Sequence, residues 1–171
     1  HRGWTLVSGG GAISCMGAVA RAARAGGAHT IGVIPQALVD LEVADHGADE
    51  LIVTADMRER KAEMDRRADA FLTLPGGLGT LEELLEIWAS RSLQMHNKPI
   101  VILDPWGDFK GLRELFATLT RGGFLRGNVE SLPIWTASTD EAMIAIEQAW
   151  AGEPSSSQLQ PTAAEFLEAE L

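Results

Sequence analysis

The sequence is short of cysteine, of positive charge and of long apolar runs. Cys15 is the only cysteine in 171 residues, which excludes an intrachain disulfide and a thiolate metal cluster and fits a reducing cytoplasm. Lys and Arg number 14 against 24 Asp and Glu, a net charge of −10. Nucleic acids and anionic membranes need a basic surface, so neither is expected as the main partner. A small phosphorylated ligand needs only a local positive site and stays open. No apolar run is long enough to span a bilayer. His29, His46 and His96 are scattered without metal-ligand spacing and read as surface or loop residues, so no metal site is expected. There is no G-x-G-x-x-G turn, so a dinucleotide is not favoured. There is no internal repeat. No signal peptide is visible, although the chain begins at His1 rather than Met, and Trp4 to Ser8 already reads as a strand.

What is present is ordinary globular material, with 46% apolar and 22% charged residues. The length suits one domain, placed at residues 1–150. Residues 151–171 change character: Gly152 to Ser157 is linker-like, and Pro161 to Leu171 reads as a short acidic helix or a frayed tail. Within the domain, strands are expected at Trp4–Ser8, His29–Ile34, Leu51–Thr54, Phe71–Leu74, Pro99–Leu103 and Leu132–Thr136. Helices are expected at Met16–Ala25, Asp56–Arg67 with Asp56 as N-cap, Thr80–Leu93, Lys110–Thr120 and Thr139–Trp150. Residues 36–48 are ambiguous. Strands alternating with helices, several of the strands apolar throughout, imply a parallel sheet covered on both faces: an α/β, Rossmann-like, doubly wound three-layer αβα fold. Ligands of such folds sit at the carboxyl ends of the strands, where both glycine turns fall.

The most informative stretch runs from Phe71 to Trp88. An apolar strand leads into Pro75-Gly76-Gly77-Leu78-Gly79-Thr80 and then a helix with Leu81, Leu84, Leu85 and Trp88 on one face. Strand, glycine turn and helix aim backbone N–H groups and a helix dipole at an anion. Thr80 can cap the helix or bond a phosphate oxygen, and Glu83 lies one turn further on. Thr80-x-x-Glu83 is equally a capping box, in which Glu83 only satisfies the Thr80 N–H. The helix from Asp56 carries a second oddity. Met57, Arg60, Lys61 and Met64 share one face, and two cations on an inward stripe need partners. Either they snorkel to solvent or pair with Asp56 and Glu63, or they meet an anion at the crevice.

Pro75 to Glu83 resembles a PGGxGTxxE motif, and Met57 to Met64 resembles its companion segment, an Arg-Lys pair in a methionine-flanked helix. Together they resemble the Lonely Guy family of cytokinin-activating phosphoribohydrolases, long labelled lysine decarboxylases. Gly9-Gly10-Gly11 with Met16-Gly17, and Ile31 to Pro35, are similar to further family segments. The resemblance covers about residues 3–150. It departs in three ways: the family's usual first strand, loop and helix are missing from this chain, Ser14 stands where a glycine is common, and the tail after Trp150 has no family counterpart. The family implies hydrolysis of the N-glycosidic bond of (N6-substituted) adenine nucleoside 5′-monophosphates, giving the free cytokinin base and ribose 5-phosphate. On that pattern Glu83 and Arg60 are the catalytic pair: Glu83 stabilises the oxocarbenium-like state, and Arg60 orients Glu83 or binds the nucleotide. Gly76, Gly77, Gly79 and Thr80 hold the 5′-phosphate, Ser8, Gly9, Gly10 and Gly11 close the ribose-phosphate side, and Lys61 is a weaker candidate. No cofactor is implied. The decarboxylase label would need pyridoxal phosphate and a Schiff-base lysine, and nothing around Lys61, Lys98 or Lys110 suggests one. A homodimer is implied, with Trp88, Trp106 and Trp150 supplying apolar surface. The alternative from the same fold is a non-catalytic nucleotide or molybdenum-cofactor carrier.

Overall fold

A computed structural model describes residues 2–152 apart from 42, 126 and 128. The linker and tail expected beyond Gly152 therefore lie outside the described residues. The chain divides into two compact units, His1–Asp69 and Ala70–Leu171.

In the first unit the order is β1 (Leu6–Ser8), α1 (Ser14–Ala25), β2 (Thr30–Pro35), α2 (Gln36–Val39), β3 (Glu50–Thr54) and α3 (Met57–Arg67). The three strands form a parallel sheet in that order, with Ser8 beside Gly32 and Pro35 beside Thr54. All six residues of β2 are buried, so both faces of the central strand are covered. Gly26 caps α1, and Gly27 follows in the left-handed region at φ +82°. At the start of α3 the Asp56 carboxylate accepts from the Arg58 and Glu59 N–H groups, and Glu59 reaches back to the Ala55 N–H at 2.7 Å. These two amides hold the Asp56 carboxyl below the usual carboxylate range. The short α2 is what the ambiguous stretch 36–48 contains.

The second unit runs β4 (Phe71–Thr73), α4 (Leu78–Ser92), β5 (Ile100–Leu103), α5 (Lys110–Arg121), a 3₁₀ turn (Val129–Ser131), β6 (Ile134–Thr136) and α6 (Thr139–Gly152). Its sheet is also parallel, ordered β4-β5-β6. Strand β5 is buried throughout. Ile100 and Ile102 join Leu84, Trp88, Phe109 and Phe116 in one apolar cluster. The alternate residues Val101 and Leu103 are also buried, and α6 packs against β5 and β6 with Ala142 and Ile146 buried. Alternation along a strand sends neighbours to opposite faces, so this sheet too is covered on both sides. The α/β class expected from the sequence holds.

Two expectations need correction. Trp88 is not surface: it is 1% exposed, stacks on Phe116 at 4.0 Å between centroids, and donates its indole N–H to the Val129 carbonyl at 2.7 Å. A large ring with one polar atom is retained inside when that atom finds a partner. Leu85 leaves the apolar stripe and is 39% exposed, because the buried face of α4 follows Leu81, Leu84 and Trp88. His96 lies in the loop between α4 and β5, as the sequence suggests, half-buried against the edge of Phe71 with Nε2 3.0 Å from the Ile87 carbonyl.

Trp88→Ala is expected to lower unfolding stability by about 3–5 kcal/mol, as deletion of a large core aromatic does. Trp88→Phe keeps the stack but strands the Val129 carbonyl, and falls between Ala and wild type. Urea melts of the three proteins measure this; an Ala variant within about 1 kcal/mol of wild type would mean that Trp88 is not central to this core.

Candidate active site

In the first unit, the residues singled out in the sequence gather at the carboxyl end of β1. Gly9 and Gly10 are buried there. Arg60, from α3, lies directly against Gly9: a Cβ on Gly9 would fall 1.5 Å from Arg60 Nη2. Only glycine leaves room for that guanidinium. Arg60 is 5% exposed and is the buried residue of α3. Its Nε donates to the Val33 carbonyl of β2 at 3.1 Å, and Nη1 lies 3.9 Å from Met57 Sδ. It does not snorkel to solvent. Asp56 caps the helix, and Glu63 accepts from Arg66 and from Arg67. Those two guanidinium groups hold the Glu63 carboxyl below the usual range, Arg67 most strongly. Lys61 follows on α3, half-buried. Met57, at 44% exposure, leaves that end of the stripe open.

Gly10 has φ +70° and crosses over β2, where a Cβ would stand 3.0 Å from Ile34 Cβ and 3.1 Å from Val33 N. The Gly10 N–H donates to Ser8 Oγ at 3.4 Å, so Ser8 sits inside the same turn. Ser14 opens α1 at φ 53°, a left-handed conformation that a side chain resists. This explains in backbone terms why a glycine suits the position.

In the second unit the candidate residues form the turn between β4 and α4. Gly76, Gly77, Leu78 and Gly79 are exposed, and Gly77 is the N-cap of α4 with no side-chain cap. Thr80 is therefore not the cap that its sequence suggests. It is the third residue of the helix, and it folds back on Gly76, where a Cβ would stand 2.1 Å from Thr80 Oγ1. The correction carries Glu83 with it. With the helix starting at Leu78, Glu83 is six residues in, beyond the capping-box position, so the capping role proposed for it does not hold. Glu83 is half-buried, one turn beyond Gly79 and Thr80. An exposed helix start without a side-chain cap offers its first N–H groups and the positive end of the dipole to an anion.

The structure thus groups Ser8, Gly9, Gly10, Gly11 and Arg60 in one unit, and Gly76, Gly77, Gly79, Thr80 and Glu83 in the other. Among the described residues, no cluster of three or more His, Cys, Asp or Glu could hold a metal ion, and no helix is long and apolar enough to cross a membrane. Sequence reasoning missed one pair beside the first turn. Arg24, in the last turn of α1, holds Asp45 through two parallel hydrogen bonds of 2.8 and 3.1 Å. The guanidinium, helped by the Gly47 N–H, keeps the Asp45 carboxyl below the usual carboxylate range. The partners are 21 residues apart, on a helix and an irregular segment, so no periodicity links them.

A family described as "Possible lysine decarboxylase" matches residues 16–146, a stretch that includes Arg60 and the whole Gly76–Glu83 turn but not Ser8 to Gly11. The cytokinin riboside 5′-monophosphate phosphoribohydrolase of Mycobacterium marinum is 54% identical over 142 residues, covering 83% of this chain and 76% of that protein. The chain belongs to this phosphoribohydrolase family. The Mycobacterium tuberculosis member is 59% identical over 124 residues, 72% of this chain and 66% of that protein. An Arabidopsis thaliana member is 41% identical over 143 residues, 84% of this chain and 66% of that protein. The fold is shared with two solved structures. The molybdenum cofactor carrier protein of Chlamydomonas reinhardtii has a TM-score of 0.60 and 24% identity over 87% of this chain and 79% of its own. The molybdenum cofactor binding protein of Rippkaea orientalis has the same TM-score and identity, over 87% and 78%. At that identity the likeness concerns the fold alone.

In this family member the contact between Gly9 and Arg60 is testable as a coupling. Gly9→Ala is expected to destabilise by about 1–3 kcal/mol, as overpacking does, because it must push the guanidinium aside. In an Arg60→Ala background the same change should cost less than about 0.5 kcal/mol. Denaturant melts of the four proteins give the cycle; additive effects would show that Gly9 is not reserved for Arg60.

Proposed function

We propose that this chain hydrolyses the N-glycosidic bond of adenine nucleoside 5′-monophosphates, N6-substituted ones included, releasing the free base and ribose 5-phosphate. The observation that carries the proposal is the 54% identity, over 83% of the chain, to a protein named for that activity. The residues suit the chemistry. The uncapped start of α4, with Gly76, Gly77, Gly79 and Thr80, is assigned to the 5′-phosphate. Glu83 is assigned to the oxocarbenium-like state that develops as the base departs, where a nearby carboxylate is stabilising. Arg60 is assigned to nucleotide binding, with Lys61 as a lesser contributor. Ser8 and Gly9 to Gly11 are assigned to the ribose-phosphate side. No metal or organic cofactor has a part in this scheme, and the cytoplasm is its compartment. The carrier alternative rests on a likeness that reaches no further than the fold.

The same proposal includes a homodimer. The support is apolar surface on the second unit: Trp106 is 79% exposed, and Leu78 and Leu85, two turns apart on α4, are 85% and 39% exposed. Trp88 no longer contributes to it. Sedimentation velocity at micromolar concentration should give twice the chain mass, and a monomer throughout would end the proposal.

Two measurements test the activity. Purified protein should release adenine from AMP, or the substituted base from isopentenyladenosine monophosphate, while the parent nucleosides are poor substrates. Two or three charge-assisted hydrogen bonds to the phosphate, at about 1.5–3 kcal/mol each, correspond to roughly 10² to 10⁶ in kcat/KM. Comparable efficiency on nucleoside and nucleotide would remove the glycine turn from phosphate binding. Glu83→Gln should leave a folded protein without turnover. Wild-type turnover in that variant would reduce Glu83 to a structural residue.

A further inference from the structure

The glycine turn after β1 is tied along one edge to the segment 43–45. The Asp45 N–H donates to the Gly10 carbonyl at 2.8 Å, and the Ala12 N–H donates to the Val43 carbonyl at 2.8 Å. Gly11 and Ala44 pair between these two bonds in an antiparallel bridge. In such a bridge the central pair exchanges no hydrogen bond, so the N–H and C=O of Gly11 face away from residues 43–45. The Gly11 N–H is met instead by Met16 Sδ at 3.2 Å. A thioether is a weak acceptor, and a ligand oxygen is a stronger one. Gly11 is thus a donor held in a fixed direction and occupied by a group that a ligand can displace.

What fixes the direction is the segment 43–47, and that segment is anchored by Arg24. Asp45 is 8% exposed, and its carboxylate takes both forks of the Arg24 guanidinium as well as the Gly47 N–H at 3.2 Å. Arg24 Nη1 also lies 3.4 Å from Thr30 Oγ1 at the head of β2. One guanidinium therefore ties the end of α1 and the start of β2 to the strap that orients the glycine turn. A planar fork does this in a way that an ammonium cannot, because only the fork makes two parallel bonds to one carboxylate.

We infer that Arg24 is a positioning residue for nucleotide binding, acting through Asp45 to hold the Gly11 N–H toward the ribose-phosphate portion of the substrate. The inference rests on the activity proposed above. The loop is bound alike in the ground state and the transition state, so its disorder raises KM and leaves kcat. Arg24→Lys keeps the charge but not the two-bond fork. It should raise KM for AMP at least tenfold with kcat within about twofold, at a temperature where circular dichroism shows the variant folded. Amide exchange at Ala12 and Asp45 should quicken in the same variant. Asp45→Asn, which keeps the size and part of the bonding, should do the same. If Arg24→Lys does not fold, Asp45→Asn and Asp45→Glu carry the comparison. Folded variants with a lowered melting temperature but an unchanged KM would make the pair purely structural and overturn the inference. Absence of AMP hydrolysis by wild-type protein would instead overturn the activity, so the two failures are distinguishable.

Discussion

Taking the guanidinium of Arg60 out of water is the constraint on which the first unit depends. A buried charge costs several kcal/mol unless polar groups replace its hydration. Here a carbonyl of the central strand, Val33, accepts from Nε, and α3 must be docked on the sheet for that bond to form. Space is the second requirement. The turn after β1 crosses the guanidinium at Gly9, where any side chain would collide with it. The Arg60 position, the absence of a side chain at Gly9 and the packing of α3 on β2 are therefore one arrangement. Any change that moves one of them moves the other two.

The second unit solves the opposite problem. Among the described residues its candidate site has no buried cation; it has a helix start left without a side-chain cap. The contrast with α3 is instructive, because the same chain knows how to close a helix. Asp56 and Glu59 satisfy amides at the head of α3, whereas α4 has Gly77 as its N-cap, with Gly76, Leu78 and Gly79 around it. Leaving donors to water at α4 forgoes about 1 kcal/mol of capping, a modest cost for a helix anchored by Leu84 and Trp88 in the core. The anchoring is what allows the open end.

Much of this was legible in the sequence, and the exceptions have identifiable causes. Strand β5 announced itself as an unbroken apolar run, and burial on both faces is the reason it is unbroken. Asp56 was legible because capping is local chemistry. Thr80 was misleading for the same reason: Thr-x-x-Glu satisfies the local rule, but the helix had already begun at Leu78, since glycine tolerates the N-cap backbone as well as threonine does. Trp88 was readable as core by its spacing and was also enlisted as surface. Its stacking on Phe116 and its bond to Val129 depend on residues 28 and 41 positions away, beyond any local pattern. The Arg24–Asp45 pair is of the same kind. Neither residue sits in a motif, and only the folding of residues 43–47 back over the glycine turn gives them a common task.

On the function proposed above, a chain of net charge −10 must build positive potential locally for a phosphorylated ligand, and the candidate residues of the two units offer it by different physics. One offers an arginine, the other oriented backbone amides. A guanidinium stays charged at any physiological pH, and amides at a helix start carry a partial charge that does not titrate. Neither device therefore loses strength between pH 5 and 8. The ligand does change over that range, because a phosphate monoester takes its second negative charge with a pKa of about 6. On the function proposed above, the phosphate's own ionisation is one source of pH dependence of nucleotide binding in that window. The dianion is the form that both devices favour.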